Sequence, residues 1–566
     1  MEKIWLREYP PSVPAEVDLN EFASLKDILE KSCQRFSDLP AYSNRGTTLL
    51  YRDMDRLSRA FAAYLQGLGL GKGERVAIMM PNILQYPVVL FGILRAGLIV
   101  VNVNPLYTPR ELVHQLQDSG AAAIVILENF AHTLQEVIAQ TAVKTVITTQ
   151  IGDLYPFPKR LLVNIVVKWI KKMVPVWNIP GAIPLRRTLR HGAHQTMKEV
   201  ELTHEDIAFL QYTGGTTGVA KGAMLTHGNL VANLQQASAW LSPYSQPAEE
   251  TIITALPLYH VFSLTANALT FMKLGGHNIL ITNPRDMPEF VKELDKIKFT
   301  TITGVNTLFN GLLHTPGFDR LDFSALKITL SGGMAVQRAV AENWKKVTGT
   351  PLIEAYGLTE TSPAACINLL DLQDYNGSIG LPISSTEISI RDEEDRELGI
   401  GEAGELCIRG PQVMRGYWNR PEETAKVISS DGYLRTGDIG VMDEKGYIRI
   451  VDRKKDLILV SGFNVYPNEI EDVVMLHPGV REAVAVGVPD EKSGEAVKLV
   501  VVRKDPALTA EMLIAHCRLH LTGYKTPRHI EFRTDLPKSP VGKFCGGCCG
   551  IRRCNTGIGL VLGSPA

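Results

Sequence analysis

The chain has 566 residues, 59 basic and 60 acidic, and a formal net charge of −1. Hydrophobic residues make up 45% and charged ones 21%, which excludes a disordered, collagen-like or disulfide-scaffold chain. The charge balance argues against a general nucleic-acid binder, which carries a basic footprint.

The length suits about three or four compact units, or two large domains with internal subdivisions. At the N-terminus, MEKIWLREYPPSVP lacks the apolar core of a signal peptide. LSRAFAAYLQGLG (57–69) has helical periodicity, and VAIMM (76–80) reads as a strand. The apolar run Val88 to Val101 is broken by Arg95. A spanning helix needs about 20 apolar residues, so this run predicts a buried helix and strand. AAIVIL (122–127), TVITT (145–149), TIITALP (251–257), HNILI (277–281) and TTITGV (300–305) are further strand-like runs, and MPEFVKELDKI (287–297) is a further helix. The alternation predicts an α/β class with mostly parallel sheets. Eight cysteines are present, with Cys33, Cys366, Cys407 and Cys517 scattered singly, as in a reducing cytoplasm.

KRLLVNIVVKWIKKMVPVW (159–177) stands apart. Wound as a helix, it gathers Asn164, Lys168, Lys171 and Lys172 into an arc about 100° wide, with apolar residues elsewhere. Such a helix suits an anionic bilayer interface. The competing reading is a buried helix whose lysines face solvent.

After residue 375 short β-like runs separated by Gly, Asp and Pro predict a β-rich module over about 375–453. Helix and strand patterns return from about 456, placing a boundary near Arg453–Asp456. His516 and His520 flank Cys517 at helical spacing without a third ligand, which predicts a surface helix rather than a metal site.

The most informative string is YTGGTTGVAKGAMLTH, Tyr212 to His227. Glycines let backbone approach phosphates, hydroxyls donate hydrogen bonds and Lys221 offers a mobile charge. No G-K-[ST] closes it, so it is not a Walker A loop. AYGLTE (355–360), YLRTGD (433–438), IVDRKKDLILVSGFNVYPNEIE (450–471) and PKSPVGK (537–543) come after it in order.

Together these strings resemble the signatures of the adenylate-forming (acyl-activating) superfamily, from about residue 20 to Lys543. Within it the 431–467 stretch looks most like bacterial long-chain fatty-acid–CoA ligases. The resemblance implies a large N-terminal domain (1–453) of two α/β subdomains plus a small β-barrel-like subdomain, then a small mobile α+β domain (454–543). It implies ATP, Mg²⁺ and coenzyme A as the groups bound, and a fatty acid as substrate. Tyr212, Thr213, Gly214, Gly215, Thr216, Thr217, Gly218 and Lys221 would cradle phosphates, with Thr213 and Glu360 on the metal. Gly333, Glu354, Ala355 and Tyr356 would line the adenine pocket, and Thr359 would approach the α-phosphate. Asp438 and Arg453 would hold the ribose, and Lys543 would stabilise charge on the α-phosphate and carboxylate. Lys455 would be the hinge, and Val460 to Glu471, including Gly462, the loop that positions CoA. Tyr259 and His260 match an element near the substrate carboxylate, and 302–310 one wall of the acyl pocket.

Plainer readings stand beside these. Glu360 could cap a helix, Asp438 could be a turn aspartate, Lys455 a solvated member of a charge run and His260 a core histidine. Other functions stay open too: an adenylating ligase for an aryl acid or a carrier-protein acceptor, or a catalytically impaired acyl- or nucleotide-binding relative. The expected location is cytoplasmic, with peripheral contact at the cytoplasmic face of the inner membrane through 159–177.

The last 23 residues, Phe544 to Ala566, break the pattern, with Cys545, Cys548, Cys549 and Cys554 crowded together. The superfamily continues here with a charged helix resembling KILRREL. C-x-x-C-C-x₄-C lacks zinc-pair spacing. Lys-Phe-Cys-Gly-Gly can be written AAA TTC TGC GGC GG, and one added A gives AAA ATT CTG CGG CGG, Lys-Ile-Leu-Arg-Arg. The sequence therefore predicts a base missing near codon 544 and a non-native tail.

Overall fold

The computed structural model describes residues 2–213, 220–453, 456–460, 463–490 and 493–538. They form two compact units. The larger runs to Ile450, except for Gln337–Ala339 and Gly437–Ile439, which group with the chain from Val451 onward.

In the larger unit a seven-stranded sheet is ordered Ile183–Pro184, Thr145–Thr149, Ala123–Leu127, Arg75–Met79, Ile99–Asn102, Ile207–Thr213 and Lys221–Thr226. All neighbours are parallel except the last pair. Strands covered on both faces need unbroken apolar runs, which is why AIVIL is buried throughout. The run Val88 to Val101 resolves into the helix Gln85–Arg95 and the strand Ile99–Asn102. Arg95 is fully buried; its guanidinium donates to Asp55 Oδ1 at 2.5 Å and to the Asp55 carbonyl at 3.0 Å. A buried charge is tolerated only when paired in this way.

A second sheet of nine strands has a parallel centre, Thr301–Gly304, Ile328–Gly332 and Leu352–Gly357 among them, flanked by antiparallel strands. Beyond it a four-stranded sheet runs Glu387–Arg391, Gly404–Arg409, Leu434–Met442, Ile448–Arg453.

The 159–177 segment departs from a uniform helix. It is α-helical over Lys159–Ile165, widens to a π-helix over Val166–Ile170, and stops where Lys172 takes φ 50°. The polar stripe faces the protein, not water, over its first two members. Asn164 Oδ1 accepts from the Gly152 N–H at 2.8 Å, and Lys168 Nζ lies 3.1 Å from the buried Glu128 carboxylate. Leu161, Leu162, Ile165 and Met173 are exposed, with Trp169 at 70% and Ile170 at 69%. The competing reading, an apolar face buried in the core, is overturned. Periodicity finds a polar face but does not say which face a protein covers.

The smaller unit is α+β. Strands Ile458–Val460, Phe463–Val465, Val480–Asp490, Gly494–Arg503 and His529–Arg533 form one sheet, and helices Pro467–Met475 and Ala510–His520 share its core. His516 packs against His477 and His520 with its Nε2 on the Val473 carbonyl, and no metal-holding group occurs among the described residues. Glu471 carries the largest upward pKa shift among the described carboxyl groups of this unit. Burial, with Asp452, Asp472 and Asp456 nearby, pushes its carboxyl from 4.5 up to about 8, against one N–H from Ala485. The native state thus holds this proton more tightly than the unfolded chain, and stability contributed by Glu471 falls as pH rises between those two values. The melting temperature of the small unit is expected to drop across that window by calorimetry. Glu471→Gln should flatten the drop; an unchanged slope would assign it to other groups.

No helix among the described residues is long and apolar enough to cross a membrane.

Candidate active site

The glycine- and threonine-rich string lies between two strands that pair antiparallel. Strand Ile207–Thr213 leads in, strand Lys221–Thr226 leads out, and Thr213 pairs with Lys221 across the ladder. Gly214, Gly215, Thr216, Thr217 and Gly218 lie outside the described residues. Register, not the loop, therefore places the lysine opposite the threonine.

Lys221 Nζ donates to Glu423 and stands 5.2 Å from the Tyr417 ring centre. The Tyr212 side chain is anchored to the helix Pro109–Ser119. Its hydroxyl donates to Asp118 Oδ2 at 2.7 Å, and its ring sits where a Cβ on Gly222 would meet it at 3.1 Å. Its contribution to the hairpin is packing and one anchored hydroxyl.

At the C-terminal ends of two neighbouring parallel strands, Gly332 pairs with Ala355. That edge of a parallel sheet is where α/β proteins place ligands. Gly333, at φ 80°, comes directly after the first strand, and Glu354, Ala355 and Tyr356 end the second. The Glu354 carboxylate is buried and accepts from the Val336 N–H at 3.2 Å. Gly357 is required sterically, because a Cβ there would lie 1.7 Å from the Pro363 carbonyl oxygen. The chain then enters the short 3₁₀ turn Thr359–Thr361, which puts Thr359 and Glu360 just past the strand end.

Glu360 is tied at both ends. Its carbonyl accepts from the Met414 N–H at 2.8 Å and its Oε1 accepts from the Tyr417 hydroxyl at 2.7 Å. Tyr417 and Glu423 were not expected from the sequence. They stand far from Glu360 and Lys221 along the chain, and only RGYWNRPEET, with its paired aromatics and acidic helix start, hinted at them.

The segment LPLYHVF is pinned from three sides. Asn82 Nδ2 donates to the Leu256 carbonyl at 2.8 Å, the Tyr86 hydroxyl to Leu258 at 2.8 Å and Gln211 Nε2 to Tyr259 at 2.7 Å. His260 is half-buried and caps the turn Val261–Ser263 through Nδ1. The 302–310 stretch divides into the strand Thr301–Gly304 and the helix Asn306–Leu313.

Asp438 is buried in the strand Leu434–Met442, after Gly437 at φ 73°. Arg453 ends the strand Ile448–Arg453; its side chain, with Lys455, Gly462 and Lys543, lies outside the described residues.

Residues 29–418 match the AMP-binding enzyme family and residues 469–543 the AMP-binding enzyme C-terminal domain. The chain belongs to the AMP-binding enzyme family. The family resemblance is close for one kind of member. A long-chain-fatty-acid–CoA ligase of Salmonella typhimurium is 60% identical over 544 residues, covering 96% of this chain and 97% of that protein. Among solved structures, ATP-bound MatB from Rhodopseudomonas palustris matches at 27% identity and a TM-score of 0.79, over 93% of this chain and 98% of that one. The anthranilate CoA ligase AuaEII, 23% identical, shares the fold at a TM-score of 0.82, over 93% and 96%.

Proposed function

We propose that this AMP-binding enzyme activates fatty acids in two steps. A carboxylate attacks the α-phosphate of ATP, giving acyl-adenylate and pyrophosphate; the CoA thiol then displaces AMP. The 60% identity to a long-chain-fatty-acid–CoA ligase supports this class over aryl-acid or carrier-protein ligases and over an inactive relative. The observation that carries it is the pairing of a cation and a carboxylate at one place, Lys221 and Glu360, bridged by Tyr417.

The residues divide the work. Lys221 gives up Glu423 for the polyphosphate, and Thr213 with the glycine- and threonine-rich string supplies hydroxyl and N–H donors. Glu360 suits Mg²⁺, because its carboxylate, oriented by the Tyr417 hydroxyl on Oε1, is a hard oxygen donor. When bound, the ion would neutralise phosphate charge. Gly333, Glu354, Ala355 and Tyr356 receive adenine, Thr359 the α-phosphate, and Asp438 with Arg453 the ribose. His260 and Tyr259 face the carboxylate end of the acid. Lys543 stabilises charge in the first step and leaves as the small domain, 454–543, swings about Lys455 for the second, in which the Gly462 loop meets CoA.

Palmitate-driven ATP–pyrophosphate exchange, and then CoA ligation across acids of rising chain length, tests this reading. Exchange with benzoate but not palmitate would overturn it.

The exposed face of 159–176 supports work at the cytoplasmic face of an anionic membrane. Trp169, Ile170, Leu161 and Leu162 offer apolar surface that monomers seldom leave in water. Basic groups bracket it: exposed Lys171 and Lys172 at one end, Arg160, Arg186 and Arg190 at the other. Burial and then Arg160 and Arg190 hold the Arg186 guanidinium below its ordinary range, against Asp153. Trp169→Ser with Ile170→Ser should abolish sedimentation with phosphatidylglycerol vesicles. Lys171→Glu with Lys172→Glu should weaken it by at least about tenfold, at roughly 1 kcal/mol per charge near the surface. Binding retained by both variants would place the contact elsewhere.

A further inference from the structure

We propose that Tyr417 is a positioning residue that orients the Glu360 carboxylate toward the metal–nucleotide, a role resting on the function proposed above. The phenol donates to Oε1 at 2.7 Å, which sets the plane of the carboxylate and the direction of its remaining lone pairs. A carboxylate with two free oxygens would rotate about its last bond; one fixed oxygen removes that freedom before the ligand arrives. Tyr417 is itself strongly fixed, at 8% exposure. Its backbone bridges to Ala223, and flanking bonds zip the same stretch to the lysine strand. Met224 N–H donates to Gly416 at 2.9 Å, Arg415 N–H to Met224 at 3.1 Å and Trp418 N–H to Gly222 at 2.8 Å. Gly416, at φ 142°, admits no side chain, because a Cβ would strike Thr424 at 2.7 Å. Thr424 Oγ1 then accepts the Tyr417 N–H at 2.8 Å.

One strap thus holds Glu360 by its carbonyl, through Met414, and by its carboxylate, through Tyr417. It also carries Glu423, the partner of Lys221.

Tyr417→Phe keeps the ring and removes the donor. With ATP binding measured by calorimetry while Mg²⁺ is titrated, the half-saturating Mg²⁺ concentration should rise about tenfold, the scale of one hydrogen bond to a charged group. ATP binding in EDTA should change less than about twofold, since the bond acts through the ion. Thr424→Val, which frees the strap without touching the phenol, should raise the Mg²⁺ requirement by about threefold, the scale of a weaker neutral bond. An unchanged Mg²⁺ half-saturation in Tyr417→Phe would overturn the proposal, as would equal weakening with and without Mg²⁺, which marks a merely structural role. If the parent chain binds no Mg·ATP, the adenylating function itself fails, a different result from loss of this one role.

Discussion

Lys543→Ala is expected to slow acyl-adenylate formation by about 100- to 1,000-fold, the scale of removing one charge-stabilising donor from a transition state. A fatty carboxylate is already a nucleophile, so the lysine has no proton to take. Its work is to meet negative charge as the α-phosphate passes through five-coordination. Thiol transfer starts from acyl-adenylate that is already made. Chemically synthesised palmitoyl-adenylate should therefore be converted to palmitoyl-CoA at an unchanged rate by the variant. Equal loss in both half-reactions would remove Lys543 from the adenylation step and make it a general structural residue.

Restoring the reading frame just past that lysine should have the second large effect. With the codons AAA TTC TGC GGC GG, one A inserted after codon 543 replaces Phe-Cys-Gly-Gly by Ile-Leu-Arg-Arg, a helix-forming run in the place where Cys and Gly now stand. The match to the AMP-binding enzyme C-terminal domain stops at residue 543, where the composition changes. A misplacement of about 1 Å at a reacting centre costs on the order of 100-fold, and the restored chain is expected to adenylate palmitate faster by that factor. Thiol transfer from supplied adenylate should change far less. Equal exchange rates in the two chains would show that the tail does not bear on Lys543. Resequencing codons 540–550 tests the origin directly: codons incompatible with the restored frame would exclude a missing base.

Much of the larger unit was legible because buried parallel strands leave an unmistakable trace. Ala123–Leu127 and Thr145–Thr149 emerge within a residue of their apolar runs. Strand ends were less clear: TIITALP yields only Thr251–Thr254, since Asn82 takes the backbone groups of Thr254 and Leu256 and bends the chain away. The 159–177 segment shows another limit. Its composition was read correctly as amphipathic, but the partners of Asn164 and Lys168, Gly152 and Glu128, lie in other elements and decide which face is covered. The motifs singled out Thr213, Lys221 and Glu360 and the family resemblance Gly333, and each lies at or within three residues of a strand end. They could not reveal that Lys221 rests on Glu423, or that Tyr212 points to Asp118, because those contacts close loops of many residues.

Asp118 has a meaning for how this enzyme can change. Its carboxylate takes the Tyr212 hydroxyl and the Arg420 guanidinium, and its carbonyl takes the Trp418 indole N–H. Two stretches distant in sequence thus meet on one residue. Losing the Asp118 carboxylate takes the partner from the Tyr212 hydroxyl and the Arg420 guanidinium at once, whereas the Trp418 indole keeps the backbone carbonyl, so the penalty is concentrated at position 118. Drift at position 118 is therefore tied to positions 212 and 420: replacing the acid first is costly, replacing it after Tyr212 has become Phe costs less, and position 418 changes on its own.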